Sequence, residues 1–188
     1  HGVNYWETFS PVVNWFSIRL CMTFTLIFGW STRQINFVLA FPQADVECDL
    51  FMELPRGLIF DGVDRSTHCV KLIKHLYGQK QAGRVWNDYL VKGLVEDRDF
   101  IQTTVDECVF YKGTTILLVY VDDAILCGPS SKDIDDIIAS LKKDFDVTDE
   151  GEIDDYLGVK VTRPTKDTIV LRQPYLIQQI LDEVGMLP

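Results

Sequence analysis

Apolar positions recur along this chain with two different periods, and the switches between them mark its elements. Behind Pro11, residues 12–29 repeat apolar side chains at helical spacing; Ser10 is placed to cap this helix and Gly29 to stop it. Residues 34–41 (QINFVLAF) read as a buried strand ended by Pro42. Residues 50–54 and 69–76 read as further strands around a Pro/Gly loop at 55–63. Residues 81–95 are helical, with Val85, Tyr89 and Lys92 beside Trp86, Leu90 and Leu94 in a mixed stripe.

The centre of the chain carries the sharpest pattern. Residues 108–112 form a strand, Gly113 a turn, and 116–121 (ILLVYV) a strongly β-prone run. Asp122-Asp123 follows at once, then a short apolar run to Cys127, closed by Gly128-Pro129. Strand, two acids, strand predicts a tight hairpin. Ser130 or Ser131 caps a helix to about residue 144, with Ile134, Ile137, Ile138, Leu141 and Phe145 on one face. Residues 156–161 and 168–171 suggest a last hairpin, and 175–184 a final helix. From residue 34 the order is strand, excursion, helix, strand, strand, helix, strand. This predicts an α+β fold, a ferredoxin-like βαββαβ sheet with helices on one face.

The 188 residues allow one domain, and 47% hydrophobic content allows a real core. The chain opens on HGVNYWETFSPVV without a start methionine, which reads as a fragment of something longer. A net charge of −10 argues against a free-standing nucleic-acid binder. Its distribution changes that picture. Residues 132–160 hold ten acids and four lysines, whereas 66–87 contain no acid and carry Lys71, Lys74, Lys80 and Arg84, a basic strip compatible with phosphate contact. The five cysteines are odd in number and scattered, with no C-x-x-C pair, so neither a zinc site nor a disulfide framework is expected and a reducing, intracellular compartment is the simplest context. The apolar stretch at 12–30 is broken by Asn14, Ser17, Arg19 and two threonines, which predicts a buried amphipathic helix and no membrane span.

Adjacent carboxylates at the turn of a very apolar hairpin repel one another unless a cation sits between them. Asp122 and Asp123 are therefore candidate ligands for a hard cation such as Mg²⁺. The alternative is a solvated Asp-Asp turn. A two-metal site needs a further carboxylate from a neighbouring strand, and 34–41 is the natural donor. It offers Asn36, an oxygen ligand without charge, or else an ordinary polar strand residue. A signalling domain with a phosphoacceptor aspartate would carry its acids at the ends of parallel strands, which a central hairpin disfavours.

Six boxes, in order, resemble the reverse transcriptase domain of copia-type long-terminal-repeat retrotransposons. Residues 5–13 (YWETFSPVV) resemble Y-x-E-T-F-A/S-P-V-V, and 34–41 resemble Q-I/M-D-x-x-x-A-F/Y. Residues 52–57 (MELPRG) resemble M-x-x-P-x-G, and 76–86 (LYGQKQAGRVW) resemble L-Y-G-L-K-Q-A-P-R-x-W. Tyr120-Val121-Asp122-Asp123 matches the Y-V-D-D box, and Tyr156-Leu157-Gly158-Val159 resembles F-L-G-I. The resemblance covers nearly the whole chain. Three departures stand out: Asn36 takes the place of the first catalytic aspartate, Gln79 and Gly83 replace Leu and Pro, and the upstream basic fingers segment, most of the thumb and any RNase H domain are missing.

The resemblance implies a single domain over 1–188, a polymerase palm with partial fingers and the start of a thumb near 173–188. It implies RNA-directed DNA polymerisation with Mg²⁺ (or Mn²⁺) held by Asp122 and Asp123, with Asn36 at the third catalytic position. Phe37 would offer a main-chain oxygen. Phe41 would gate against the 2′-hydroxyl of the incoming nucleotide, or else be a core phenylalanine. Tyr77, Gly78 and Lys80 would border the nucleotide. Arg84 would meet phosphate, or belong to a solvated basic face. Leu157-Gly158 would form the primer grip, or a plain structural hairpin. The implied partners are an RNA or DNA template with primer, deoxynucleoside triphosphates and the rest of a Pol polyprotein, in cytoplasmic virus-like particles and not at a membrane. Asn36 makes this copy impaired, or a non-enzymatic remnant or domesticated binding module of the same fold.

Overall fold

The structure, a computed structural model, describes residues 8–186. Its first helix, α1 (Trp15–Phe28), begins later than the apolar pattern predicts. Asn14, not Ser10, is the cap, accepting from the Phe16 N–H at 2.8 Å; Gly29, at φ 65°, ends the helix as expected. Strand β1 (Ser31–Phe37) follows and stops before residue 41. Leu39 turns into the left-handed region, and Ala40–Gln43 make a short helix, α2, in which Pro42 continues the turn it was expected to end. Strands β2 (Asp45–Glu53) and β3 (Cys69–Lys74) pair as a separate two-stranded sheet. Helix α3 (Ala82–Arg98) leads into β4 (Ile101–Gln102), β5 (Val109–Lys112), β6 (Thr115–Tyr120) and β7 (Asp123–Gly128). Helix α4 (Ser131–Leu141), capped by Ser130, leads into β8 (Val147–Gly151). Strands β9 (Asp155–Tyr156), β10 (Val159–Thr165) and β11 (Thr168–Arg172) form a small third sheet before α5 (Pro174–Glu183).

The fold is mixed α/β around a six-stranded antiparallel sheet in the order β4-β5-β6-β7-β1-β8. β1 therefore lies between the hairpin strand β7 and the later strand β8. Strand alternation divides the apolar side chains between two faces. Ile35, Phe37, Leu117, Val119, Ala124 and Leu126 meet Trp86, Leu90 and Leu94 of α3 and Ile134, Ile138 and Leu141 of α4. On the other face Leu118, Ile125 and Cys127 meet Ile18, Cys21 and Met22 of α1, with Tyr156 and Val161 of the small sheet. Helices thus cover both faces, where the sequence pattern predicts one. The cysteine expectation also changes: Cys21 and Cys127 are joined in a disulfide inside this second core, while Cys69 and Cys108 are free thiols. An odd, scattered count argues against a framework but does not exclude a single long-range link. Among the described residues no helix is long and apolar enough to cross a membrane.

α3 packs closely at Gly93 against the segment that follows α4. A Cβ on Gly93 would lie 2.5 Å from Cζ of Phe145, a buried ring that is itself edge-on to Phe37, Trp86 and Tyr89. Gly93→Ala should therefore destabilise the fold by about 1–3 kcal/mol through overpacking, although alanine favours a helix by about 1 kcal/mol. Thermal denaturation checks this; a variant as stable as the parent would show that the contact has slack.

Candidate active site

The two-residue turn between β6 and β7 is the focus of the site. Tyr120 sits opposite Asp123, and Val121 and Asp122 make the turn. Val121 takes φ 57°, a conformation that a β-branched residue adopts only under constraint. Two clamps supply that constraint. The indole N–H of buried Trp86 donates to the Val121 carbonyl at 2.7 Å, and the Phe37 N–H donates to the Asp122 carbonyl, also at 2.7 Å. The ring of Phe37 points into the core against Trp86, centroids 5.4 Å apart, so the end of β1, the turn and α3 are fixed to one another.

The register sets Asn36 directly opposite Asp123. Its amide makes a long 3.5 Å contact with Asp123 Oδ1, so the structure brings Asn36 to the second acid of the pair. Burial pushes the Asp123 carboxyl above the usual carboxylate range. The Asn36 amide offsets part of this, and the charges of Asp122 and Glu150 add to it. Glu150, at the end of β8, accepts from Gln34 Nε2 at 2.7 Å, and Gln34 shares a strand face with Asn36. Among the described residues no cluster of three or more His, Cys, Asp or Glu side chains is arranged to hold a metal ion. The donor set fits a hard divalent cation only in part: two carboxylates and one neutral amide, with one carboxylate held toward its protonated form by burial and like charge.

Phe41 lies on α2, partly exposed, and not at a strand end. Its ring meets Tyr77 with centroids 4.7 Å apart. The Tyr77 hydroxyl is pushed up by partial burial and by the charge of Asp122, against a backbone hydrogen bond from Ala40. Phe41, Tyr77 and Asp122 therefore share one neighbourhood. Gly78, at φ 91°, makes the loop before α3, and Lys80 is exposed in that loop.

The basic strip is not bare, which corrects the expectation from its sequence. The alternate residues Asp45, Glu47 and Asp49 of β2 pair with Lys74 at 2.8 Å, with Arg84, and with Lys71 at 2.6 Å. Arg84 also bonds Asp88 at 2.8 Å. Period-two spacing on β2 places its acids on one face beside these cations, a pairing invisible when 66–87 are read alone.

Leu157 and Gly158 join β9 to β10 as a two-residue turn, at φ 52° and 75°. Positive φ at both central residues suits a tight hairpin, though leucine is unusual there. Sequence reasoning gave no site role to Trp86, Gln34, Glu150 or Tyr156. A tryptophan in a helical stripe carries one usable signal, since its buried N–H must find an acceptor.

With this geometry in place, comparison with known proteins decides the family. The family model described as reverse transcriptase (RNA-dependent DNA polymerase) matches residues 1–187. The chain belongs to the reverse transcriptase family. This reverse transcriptase domain is 32% identical, over 98% of its length, to the "Retrovirus-related Pol polyprotein from transposon TNT 1-94" of Nicotiana tabacum. It is 32% identical over 94% of its length to the "Retrovirus-related Pol polyprotein from transposon RE1" of Arabidopsis thaliana. It is 26% identical over 81% to the "Transposon Ty1-NL2 Gag-Pol polyprotein" of Saccharomyces cerevisiae. These relatives place the domain with the Pol polyproteins of copia-type transposons. It spans 14%, 12% and 9% of their respective lengths. No solved structure matches it.

Proposed function

We propose that this domain is the palm, with partial fingers, of an RNA-directed DNA polymerase, and that Asn36 impairs it. The clamped turn that presents Asp122 and Asp123 beside Asn36 carries the reading. The strand order β8-β1-β7-β6, with α3 and α4 on one face, supports a ferredoxin-like βαββαβ palm. α5, none of whose side chains is buried, is read as the start of the thumb, with the domain running over 1–188.

In this reading a primer 3′-hydroxyl attacks the α-phosphate of a deoxynucleoside triphosphate and pyrophosphate leaves. Bound Mg²⁺ (or Mn²⁺) supplies the acidity of the attacking hydroxyl and neutralises the leaving phosphates. Asp122 and Asp123 would hold the cations, Asn36 would offer a neutral oxygen, and the Phe37 carbonyl a main-chain one. Phe41 excludes the 2′-hydroxyl, while Tyr77, Gly78 and Lys80 border the nucleotide. Arg84 meets phosphate by leaving Glu47 or Asp88. Leu157-Gly158 places the primer end. The partners are template with primer and the remainder of a Pol polyprotein in a cytoplasmic virus-like particle.

Asn36 itself favours a second reading, a catalytically dead remnant or a domesticated binding module. Primer extension on poly(A)/oligo(dT) with Mg²⁺ separates them from an active enzyme. No synthesis above background is expected from the isolated chain, because Asn36 takes one charge from the metal site, and neutralising the phosphates in the transition state depends on that charge. Synthesis that Asp122→Asn abolishes would show that Asn36 suffices and overturn the impairment.

A further inference from the structure

Tyr156 is 1% exposed, and its hydroxyl is closed off from solvent with no hydrogen-bond partner. Leaving such a group unpaired is destabilising. Packing alone does not require it: the F-L-G-I motif that residues 156–159 resemble has phenylalanine here. A hydroxyl kept at that cost calls for an acceptor.

The second core shows what surrounds that hydroxyl. Tyr156 packs in one cluster with Leu118, Ile125 and Tyr120. Tyr120 is directly opposite Asp123, and Ile125 is two residues beyond Asp123 on the same strand face. The next residue back, Asp155, offers its carbonyl to Gln34 Nε2 at 3.1 Å, which ties β9 to the strand carrying Asn36. Burial raises the Tyr156 hydroxyl pKa far above its ordinary value, and the charge nearest in effect is that of Asp123, ahead of Cys108 and Tyr120.

We propose that Tyr156 is a positioning residue for Asp123: its hydroxyl donates to the Asp123 carboxylate, through one buried water or a small turn of that side chain, and holds it toward the cation. This deepens the proposed function and rests on reading Asp122-Asp123 as the metal-binding turn. Asp123 needs such support in this chain because Asn36, its cross-strand neighbour, brings an amide and no charge. A donor behind a ligating carboxylate fixes its rotamer, and loss of such outer contacts typically weakens metal binding about 10–100-fold.

Two readouts on the chain 1–188 test this. With tyrosine labelled at Cζ, the Tyr156 resonance (assigned by its loss in Tyr156→Phe) is expected to move in Asp123→Ala; no movement overturns the contact whether or not metal binds. Titration with Mn²⁺, followed by electron paramagnetic resonance, is expected to give a Kd about tenfold weaker in Tyr156→Phe at a temperature where both proteins are fully folded. Equal Kd values, in a chain whose Mn²⁺ binding Asp122→Asn reduces, overturn the positioning role alone. Mn²⁺ binding indifferent to Asp122→Asn overturns the metal-site reading and the positioning role with it.

Discussion

Asn36→Asp is expected to make the stability of this domain depend on Mg²⁺. Asn36 faces Asp123, which already feels Asp122 and Glu150. A third carboxylate there adds repulsion in the absence of a cation and attraction in its presence. Unit charges about 4 Å apart interact by roughly 4 kcal/mol near a protein surface. Most of the gain toward a dication is offset by mutual repulsion and desolvation, which leaves about 1–3 kcal/mol, or roughly ten- to a hundredfold in affinity. In chelator the variant should melt below the parent. Saturating Mg²⁺ should then raise its melting temperature well beyond any shift in the parent, because binding to the folded state alone stabilises it. Acid should relieve the apo penalty. A carboxyl whose folded pKa is raised, as that of Asp123 is, loses stability as pH rises from its unfolded to its folded pKa. The same Mg²⁺ response in both proteins would place Asn36 outside the metal site.

The second large effect concerns sugar choice, and it needs an active background. Residues 1–188 with Asn36→Asp, grafted into a complete copia-type polymerase, supply one. Phe41 packs against Tyr77, which senses the charge of Asp122, so its ring stands near the proposed nucleotide position with part of its surface open. Phe41→Val removes the ring and should admit a 2′-hydroxyl. The ratio of ribonucleotide to deoxyribonucleotide kcat/KM is expected to rise about tenfold or more, since discrimination is differential transition-state binding. A partly exposed ring leaves a small cavity, so the loss of stability should stay near 1–2 kcal/mol. A lowered melting temperature with an unchanged sugar ratio would make Phe41 a packing residue only.

Elements with strong apolar periodicity were legible in the sequence. The hairpin around Asp122-Asp123, helix α4 with its Ser130 cap, and helix α3 lie close to where the pattern puts them. Strand β8 was not legible. Its sequence VTDEG buries only Val147, and its acids look like loop until β1 is there to pair with them. The end of β1 was misread because Phe41 continues an apolar run; what ends the strand is Leu39 in the left-handed region, which no periodicity reports. The motif residues Asp122, Asp123 and Asn36 were named from sequence, and the structure brings Asn36 and Asp123 together. What holds them is non-local: the Trp86 indole lies 35 positions before the carbonyl it binds, and Glu150 reaches the site through a pairing over 116 residues with Gln34.

The acid row on β2 means that this hairpin carries its own counterions. A phosphate arriving at Lys71, Lys74 or Arg84 must displace Asp49, Asp45 or Glu47, exchanging one bound anion for another. Fewer small ions from solution are then released per contact, so nucleic-acid binding through this face should weaken less steeply with added salt than binding by an unshielded basic face.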